Sequence, residues 1–322
     1  MKEFDIPGVE KQIFAAGQLN QLRGSILSKA LANAAKDIDA DILRNEIKKY
    51  APCEGLRALQ GTRVRDEEVF AIPCLLRKTP TLIGYYRLLL GASKKSFYAS
   101  KTGLGMFKTM EEKGRITKQA EVSIDDFCIQ YNSSITLLIR GIYSSTLRED
   151  ISELPLLTLG SQVHGSWSTA IGTKATKAVF EALKEVVKEA GCDFDEDDSR
   201  IATMNAAGRK VTVSLAADPD VVIREDMGSG KSMYIAAIEI KGGLDYANIH
   251  NRVGEAEKSH QKAKSDGADQ CWTIISLGGA DREKLRMESP TTNHWFDIEQ
   301  IKLRSGEDWD DVVARLKSAM SI

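Results

Sequence analysis

Cysteine is scarce and scattered in this chain. Its 322 residues hold five, at Cys53, Cys74, Cys128, Cys192 and Cys271, with no CxxC spacing. That excludes a disulfide framework and a zinc knuckle, and fits reduced, mostly buried thiols of a cytoplasmic protein. Long apolar runs are missing too. The nearest, Thr81 to Gly91, is interrupted by Arg87, so no segment is expected to span a bilayer and no membrane partner is expected. The first residues, Met1-Lys2-Glu3-Phe4-Asp5-Ile6-Pro7, lack the apolar core of a secretion signal. Only four histidines occur, and His164, His260 and His294 have no spacing that suggests a metal site. A GxSxG nucleophile elbow is absent, as are internal repeats and low-complexity stretches.

What is present is ordinary in bulk and uneven in detail. Apolar residues make up 42 % and charged residues 28 %, with a net charge of −2, the profile of a soluble globular protein. Residues 1–160 carry 23 Lys and Arg against 19 Asp and Glu, which leaves 21 against 27 for the rest of the totals of 44 and 46. Between residues 77 and 118 there are 10 basic and 2 acidic residues. Such a block suits a polyanion, because phosphate contacts by Lys and Arg drive most non-specific nucleic-acid affinity. The bland alternative is a solvated helix face. Within the block, Lys94, Lys95, Lys101 and Lys108 alternate with Phe97, Tyr98 and Phe107 and with glycines, a composition that suits backbone contacts on a duplex.

Along the chain, apolar residues at three- and four-residue spacings from Val9 to about Tyr50 predict helices, with breaks near Asp37-Ile38-Asp39 and Ala51-Pro52. Residues 53–76 have no clear period. Pro80 opens a helix closed at Gly91, and residues 120–145 hold a further apolar segment. A glycine-bearing loop from Gly160 to Trp167 is expected to separate a mainly helical region, 1–160, from a second region, 161–322. The latter begins with an amphipathic helix from Thr173 to Ala190, ended by Gly191. An acidic loop, 193–199, then precedes strands at 201–204 and 211–215. A charged helix follows at 248–264, then strands at 271–276 and 294–303, and a last helix starts near Ser305. The fold class is therefore α/β: a mixed sheet flanked by helices, with a mainly helical N-terminal region.

The chemistry is expected in one hairpin. Asp218-Pro219-Asp220 leads into the β-branched Val221-Val222-Ile223, and an apolar run from Tyr234 acquires charge only at Glu239 and Lys241. Residues two apart on a strand share a face, so Glu239 and Lys241 project together, and the hairpin brings Asp220 beside them. Two carboxylates and an ammonium at a strand end suit a hard divalent cation and the water it activates. The connecting Gly228-Ser229-Gly230-Lys231-Ser232 tempts a phosphate-loop reading. However, the position needing the first glycine is Glu225, and a strand follows where a helix is required.

Pro219-Asp220 and, after eighteen intervening residues, Glu239-Ile240-Lys241 resemble the motif of the PD-(D/E)xK nuclease superfamily. The continuation Gly242-Gly243-Leu244-Asp245 looks like type II restriction endonucleases. The upstream block Tyr85-Tyr86-Arg87-Leu88-Leu89-Leu90-Gly91, with Ser93-Lys94-Lys95 and Phe97-Tyr98, and the later Asn248-Ile249-His250-Asn251-Arg252 narrow the likeness to the XcyI-like group. The resemblance implies a restriction-endonuclease-like core and a Mg²⁺ ion on Asp220, Glu239 and the Ile240 carbonyl, with Asp218 the rival for the first carboxylate. Lys241 would position or deprotonate the attacking water, and His250 would be an extra base or phosphate donor. A further acid would come from Glu181 or Glu185. Arg252, Lys258, Lys262 and Lys264 join the earlier lysines as candidates for DNA phosphates. It also implies a homodimer in the bacterial cytoplasm, acting on double-stranded DNA at a palindromic, GC-rich site. Two other classes compete: a repair or recombination nuclease with the same core, and a non-catalytic DNA-binding protein.

Overall fold

The computed structural model describes residues 9–142, 145–190, 193–243, 249–278 and 280–322. Gly191, Cys192, Leu244, Asp245 and Asn248 lie outside the described residues. The chain divides into two units, Met1–Trp167 and Ser168–Ile322.

The first unit is helical. Its described helices are α1 (Glu10–Arg23), α2 (Ser28–Lys36), α3 (Ala40–Tyr50), α4 (Cys53–Leu59), α5 (Pro73–Lys78), α6 (Ile83–Leu89), α7 (Lys94–Phe97), α8 (Lys108–Lys113) and α9 (Lys118–Gly141), with the start of α10 (Leu147–Ala190). The stretch without a clear period, 53–76, contains α4 and the start of α5 around a fully buried run, Val69 to Ile72. Pro73 starts α5 because a first-turn N–H needs no helical partner. The buried run is satisfied by Asn132 of α9. Its amide accepts from Ala71 N at 2.8 Å and donates to Ala71 O at 2.9 Å and Tyr50 O at 3.1 Å, as a neighbouring strand would. Arg87, the charge inside an apolar run, is also fully buried. It forms a fork on Glu111, Nε and Nη2 each 2.8 Å from a carboxylate oxygen, and Tyr98 donates to the same group at 2.6 Å.

The glycine-bearing loop expected at 160–167 is instead part of α10, a 44-residue helix that also contains Pro155. Glycine and serine lower helix propensity by only about 1 kcal/mol or less per residue, and packing overrides that here. Leu159 and Val163 are buried with Ile26, Leu27 and Leu88, and Trp167 lies 5.3 Å from Phe14 between ring centroids.

In the second unit seven described strands form one sheet in sequential order: β1 (Phe194–Glu196), β2 (Arg200–Met204), β3 (Lys210–Leu215), β4 (Val221–Gly228), β5 (Lys231–Lys241), β6 (Gln270–Ile275) and β7 (His294–Asp297). The first five run antiparallel as a meander, and β5, β6 and β7 are parallel. Parallel neighbours need crossovers. They contain α11 (Ile249–Ser265) and α12 (Arg282–Glu288), with α13 (Ile298–Leu303) and α14 (Glu307–Met320) closing the chain. Ile238 and Ile240 of β5 pack with Val179 and Leu183 of α10 and Val312 and Leu316 of α14. Ala237, on the other face, packs with Ala263 of α11. Burial on both faces explains why this strand reads as an unbroken apolar run.

Several local expectations are corrected. The acidic loop 193–199 contains β1. The segment 294–303 changes from strand to helix at Ile298, where Asp297 caps α13 by accepting from Glu299 N at 2.9 Å. The last helix starts at Glu307 behind Gly306, whose φ of 101° places it in the left-handed region. Helix α12 went unanticipated because its single buried residue, Leu285, leaves no apolar stripe.

Candidate active site

The turn of the β4–β5 hairpin is short. Gly228, Ser229 and Gly230 have φ of 75°, 55° and 73°, left-handed values that a tight hairpin turn requires and glycine tolerates. Gly228 pairs with Lys231, at the end of the ladder remote from the Val221–Ile238 pair. The Gly-Ser-Gly-Lys-Ser stretch is therefore a connector, far along the strands from the acidic residues.

At the other end, one step beyond the Val221–Ile238 pair, Asp220 comes opposite Glu239. Asp220 Oδ2 accepts from Ile240 N at 2.8 Å. Glu239 and Lys241 share a face, with Lys241 Nζ 2.9 Å from Glu239 Oε1 and 3.4 Å from Glu255 of α11. Asp218 lies beside them. Its Oδ2 is 3.0 Å from Lys262 Nζ, and its Oδ1 accepts from Ser259 at 2.6 Å. The same Ser259 hydroxyl is 2.8 Å from Glu239 Oε2. The strand then passes close to its neighbours. A Cβ on Gly242 would stand 2.0 Å from Ala175 Cβ on α10, and one on Gly243 would stand 2.1 Å from the Arg252 guanidinium. Gly242 thus has a packing reason, whereas at Gly243 the neighbour is the movable end of a flexible side chain.

The electrostatics separate the two aspartates. Burial first, then the adjacent Glu239, pushes the Asp220 carboxyl up from 3.8 to about 6. The Ser259 hydroxyl and Lys262 hold Asp218 below its ordinary value. Burial works against the Lys241 ammonium, but Glu239, with Glu255 and Asp220, outweighs it and raises Lys241 above the ordinary lysine value. No cluster of three or more His, Cys, Asp or Glu arranged for a metal occurs among the described residues. The two adjacent carboxylates nevertheless fit a hard divalent cation. They are oxygen donors, and the mutual repulsion that raises Asp220 is what such a charge would relieve.

Other expected site residues are placed as follows. His250, at the start of α11, has Nδ1 2.7 Å and 2.8 Å from the two Glu288 oxygens. Arg252 donates to the Gly243 carbonyl, and Lys258 is exposed on α11. The two helix acids are engaged elsewhere: Glu181 lies 3.9 Å from Lys184, and Glu185 pairs with Arg304. In the first unit two arginines of the basic block are committed to structure, and its lysines stay exposed. Arg87 is sealed on Glu111, Arg77 holds Glu121 and Asp125, Lys94 lies 3.5 Å from Glu111, and Lys108 lies 3.8 Å from Glu112. Lys95 and Lys101 are exposed. Sequence reasoning passed over Ser259, Glu255 and Glu288. Only Ser259 left a signal, its place between Ala256 and Ala263 on the buried face of α11.

Comparison with known proteins gives this arrangement a family. The family model for the XcyI restriction endonuclease matches residues 16–322. The chain is 38 % identical over 323 residues to the type II restriction enzyme XcyI of Xanthomonas campestris pv. cyanopsidis, covering 99 % of this chain and 96 % of that one. It is 39 % identical over 319 residues to the type II restriction enzyme Cfr9I of Citrobacter freundii, with 98 % and 96 % covered. With likeness of this extent, a mixed sheet and an acidic hairpin end, the chain belongs to the XcyI restriction endonuclease family and is an enzyme of the type II site-specific deoxyribonuclease class.

Proposed function

We propose that this enzyme hydrolyses phosphodiester bonds of double-stranded DNA at one short palindromic, GC-rich site, with Mg²⁺ held by Asp220, Glu239 and the Ile240 carbonyl. The observation that carries it is Asp220 standing opposite Glu239 with Lys241 on the same face. When bound, the cation neutralises charge on the scissile phosphate and lowers the pKa of a water. The protein's own groups do the rest. With a carboxyl pKa of about 6, Asp220 is ionised at neutral pH and binds a cation there. Lys241, raised by Glu239, keeps its proton, so it orients water and phosphate by donating hydrogen bonds and does not act as a base. His250, whose Nδ1–H donates to Glu288, turns the lone pair of Nε2 outward as an extra base, and only the doubly protonated ring would donate to a phosphate. Asp218 is neutralised by Lys262, which favours Asp220 as the cation's first carboxylate.

Region 1–160 supplies phosphate contacts through Lys94, Lys95, Lys101 and Lys108, and region 161–322, the catalytic core, adds Arg252 and Lys258. The enzyme acts in the bacterial cytoplasm as a homodimer, because a two-fold protein matches a two-fold site and each active site then cuts one strand. Digestion of a sequenced plasmid with Mg²⁺, followed by mapping of the ends, tests this. Discrete fragments whose ends share one palindrome are expected. Cleavage set by DNA branches or mismatches would assign the core to repair, and binding without cleavage would make the protein non-catalytic.

A further inference from the structure

Ser259 is only 6 % exposed on α11 and stands between two carboxylates, 2.6 Å from Asp218 Oδ1 and 2.8 Å from Glu239 Oε2. A serine hydroxyl has one proton, and an ionised carboxylate only accepts. One donor therefore bridges two acceptors, and the outer oxygen of each carboxylate is held by an ammonium: Lys262 at 3.0 Å on Asp218 and Lys241 at 2.9 Å on Glu239. The result is a chain of ammonium, carboxylate, hydroxyl, carboxylate and ammonium, with Glu239 held at both oxygens. The terminal torsion of a glutamate is soft, with broad minima, so a carboxylate plane is fixed by its contacts. Ser259 is the only neutral side chain in this chain of contacts. Asp218 reaches Glu239 through it.

We infer that Ser259 and Asp218 are positioning residues that fix the plane of the Glu239 carboxylate for a divalent cation, with Asp218 acting through Ser259 and not as a ligand. The inference rests on the cation-dependent reading above. Groups that orient a metal ligand from behind typically change metal affinity or activity about 10- to 100-fold when removed.

The test uses the full-length enzyme and its Ser259→Ala, Asp218→Ala and double variants, alanine removing the acceptor for Ser259 that asparagine would keep. Two quantities are read: the Ca²⁺ concentration that half-saturates DNA binding, and the Mg²⁺ concentration that half-saturates cleavage. Ser259→Ala is expected to raise both about tenfold or more, with DNA affinity at saturating Ca²⁺ unchanged. Asp218→Ala shifts both in the same direction, and the double variant is no worse than the poorer single one, since both act through one carboxylate. Should Ser259→Ala fail to fold, Asp218→Ala decides alone, because Asp218 is exposed. Half-saturating concentrations within about twofold of wild type, or losses that multiply in the double variant, would overturn the inference. Wild-type cleavage that needs no divalent cation would instead overturn the reading beneath it.

Discussion

Replacing Asp220 by Asn is expected to stabilise the cation-free protein while removing cleavage. Burial and the neighbouring Glu239 push the Asp220 carboxyl from 3.8 to about 6. A shift of that size corresponds to roughly 3 kcal/mol of penalty on the ionised form. Because the side chain is only half-buried and solvent screens part of it, about 1–2 kcal/mol is expected in practice. Asparagine keeps an acceptor for the Ile240 N–H, now 2.8 Å from Oδ2, and has no charge to bury. The folded state holds the Asp220 proton more tightly than the unfolded chain does. The penalty is therefore complete above a pH of about 6, shrinks as pH falls toward 3.8, and is gone below that. Urea unfolding in EDTA at about pH 7.5 and about pH 3.5 measures both ends of the window. The variant should be more stable at the higher pH and equal to wild type at the lower. Adding Mg²⁺ at neutral pH should narrow or reverse the difference, because a ligand of the native state stabilises only the protein that binds it. A variant no more stable than wild type at neutral pH without cation would refute the reasoning.

Three other outcomes follow from the same geometry. Glu111→Ala strands the buried Arg87 guanidinium and should cost about 3–5 kcal/mol of stability by denaturant titration; a loss under about 1 kcal/mol would show the pair to be dispensable. Lys95 and Lys101 changed together to Gln should weaken DNA binding across all sequences and reduce the salt slope of log K by about 2, and an unchanged slope would remove both from the interface. His250→Gln and Glu288→Gln should each lower kcat/KM by about tenfold, equivalent to about 1.4 kcal/mol. Unequal effects would separate the histidine from its carboxylate.

The sheet was largely legible because its signals are local. The β-branched start of β4 and the apolar run of β5 announce themselves in a few residues, and the period of two puts Glu239 and Lys241 on one face. The PD-(D/E)xK likeness rests on the same hairpin residues, and the XcyI-like likeness on further short stretches, Tyr85 to Tyr98 and Asn248 to Arg252, so both are readable locally. The 44-residue α10 was not, because three glycines and Pro155 argue locally against a helix that Leu159, Val163 and Trp167 hold by distant packing. The buried run 69–72 was obscure for a related reason, since its partner, Asn132, lies 61 residues beyond Ala71. In the site, the acidic and basic residues could be named from composition, but their pairings could not. Ser259 meets Glu239 across 20 residues and Asp218 across 41, and Arg77 and Lys94 of the basic block meet their counter-ions only in three dimensions.

The most direct measurement is single-turnover cleavage of a duplex carrying the mapped site by Glu239→Ala, with Ca²⁺-supported binding of the same duplex measured alongside. Cleavage should fall by about a thousandfold or more, equivalent to about 4 kcal/mol of lost transition-state stabilisation, while the complex still forms. Cleavage within about tenfold of wild type would place the chemistry somewhere other than the hairpin end that holds Asp220, Glu239 and Lys241.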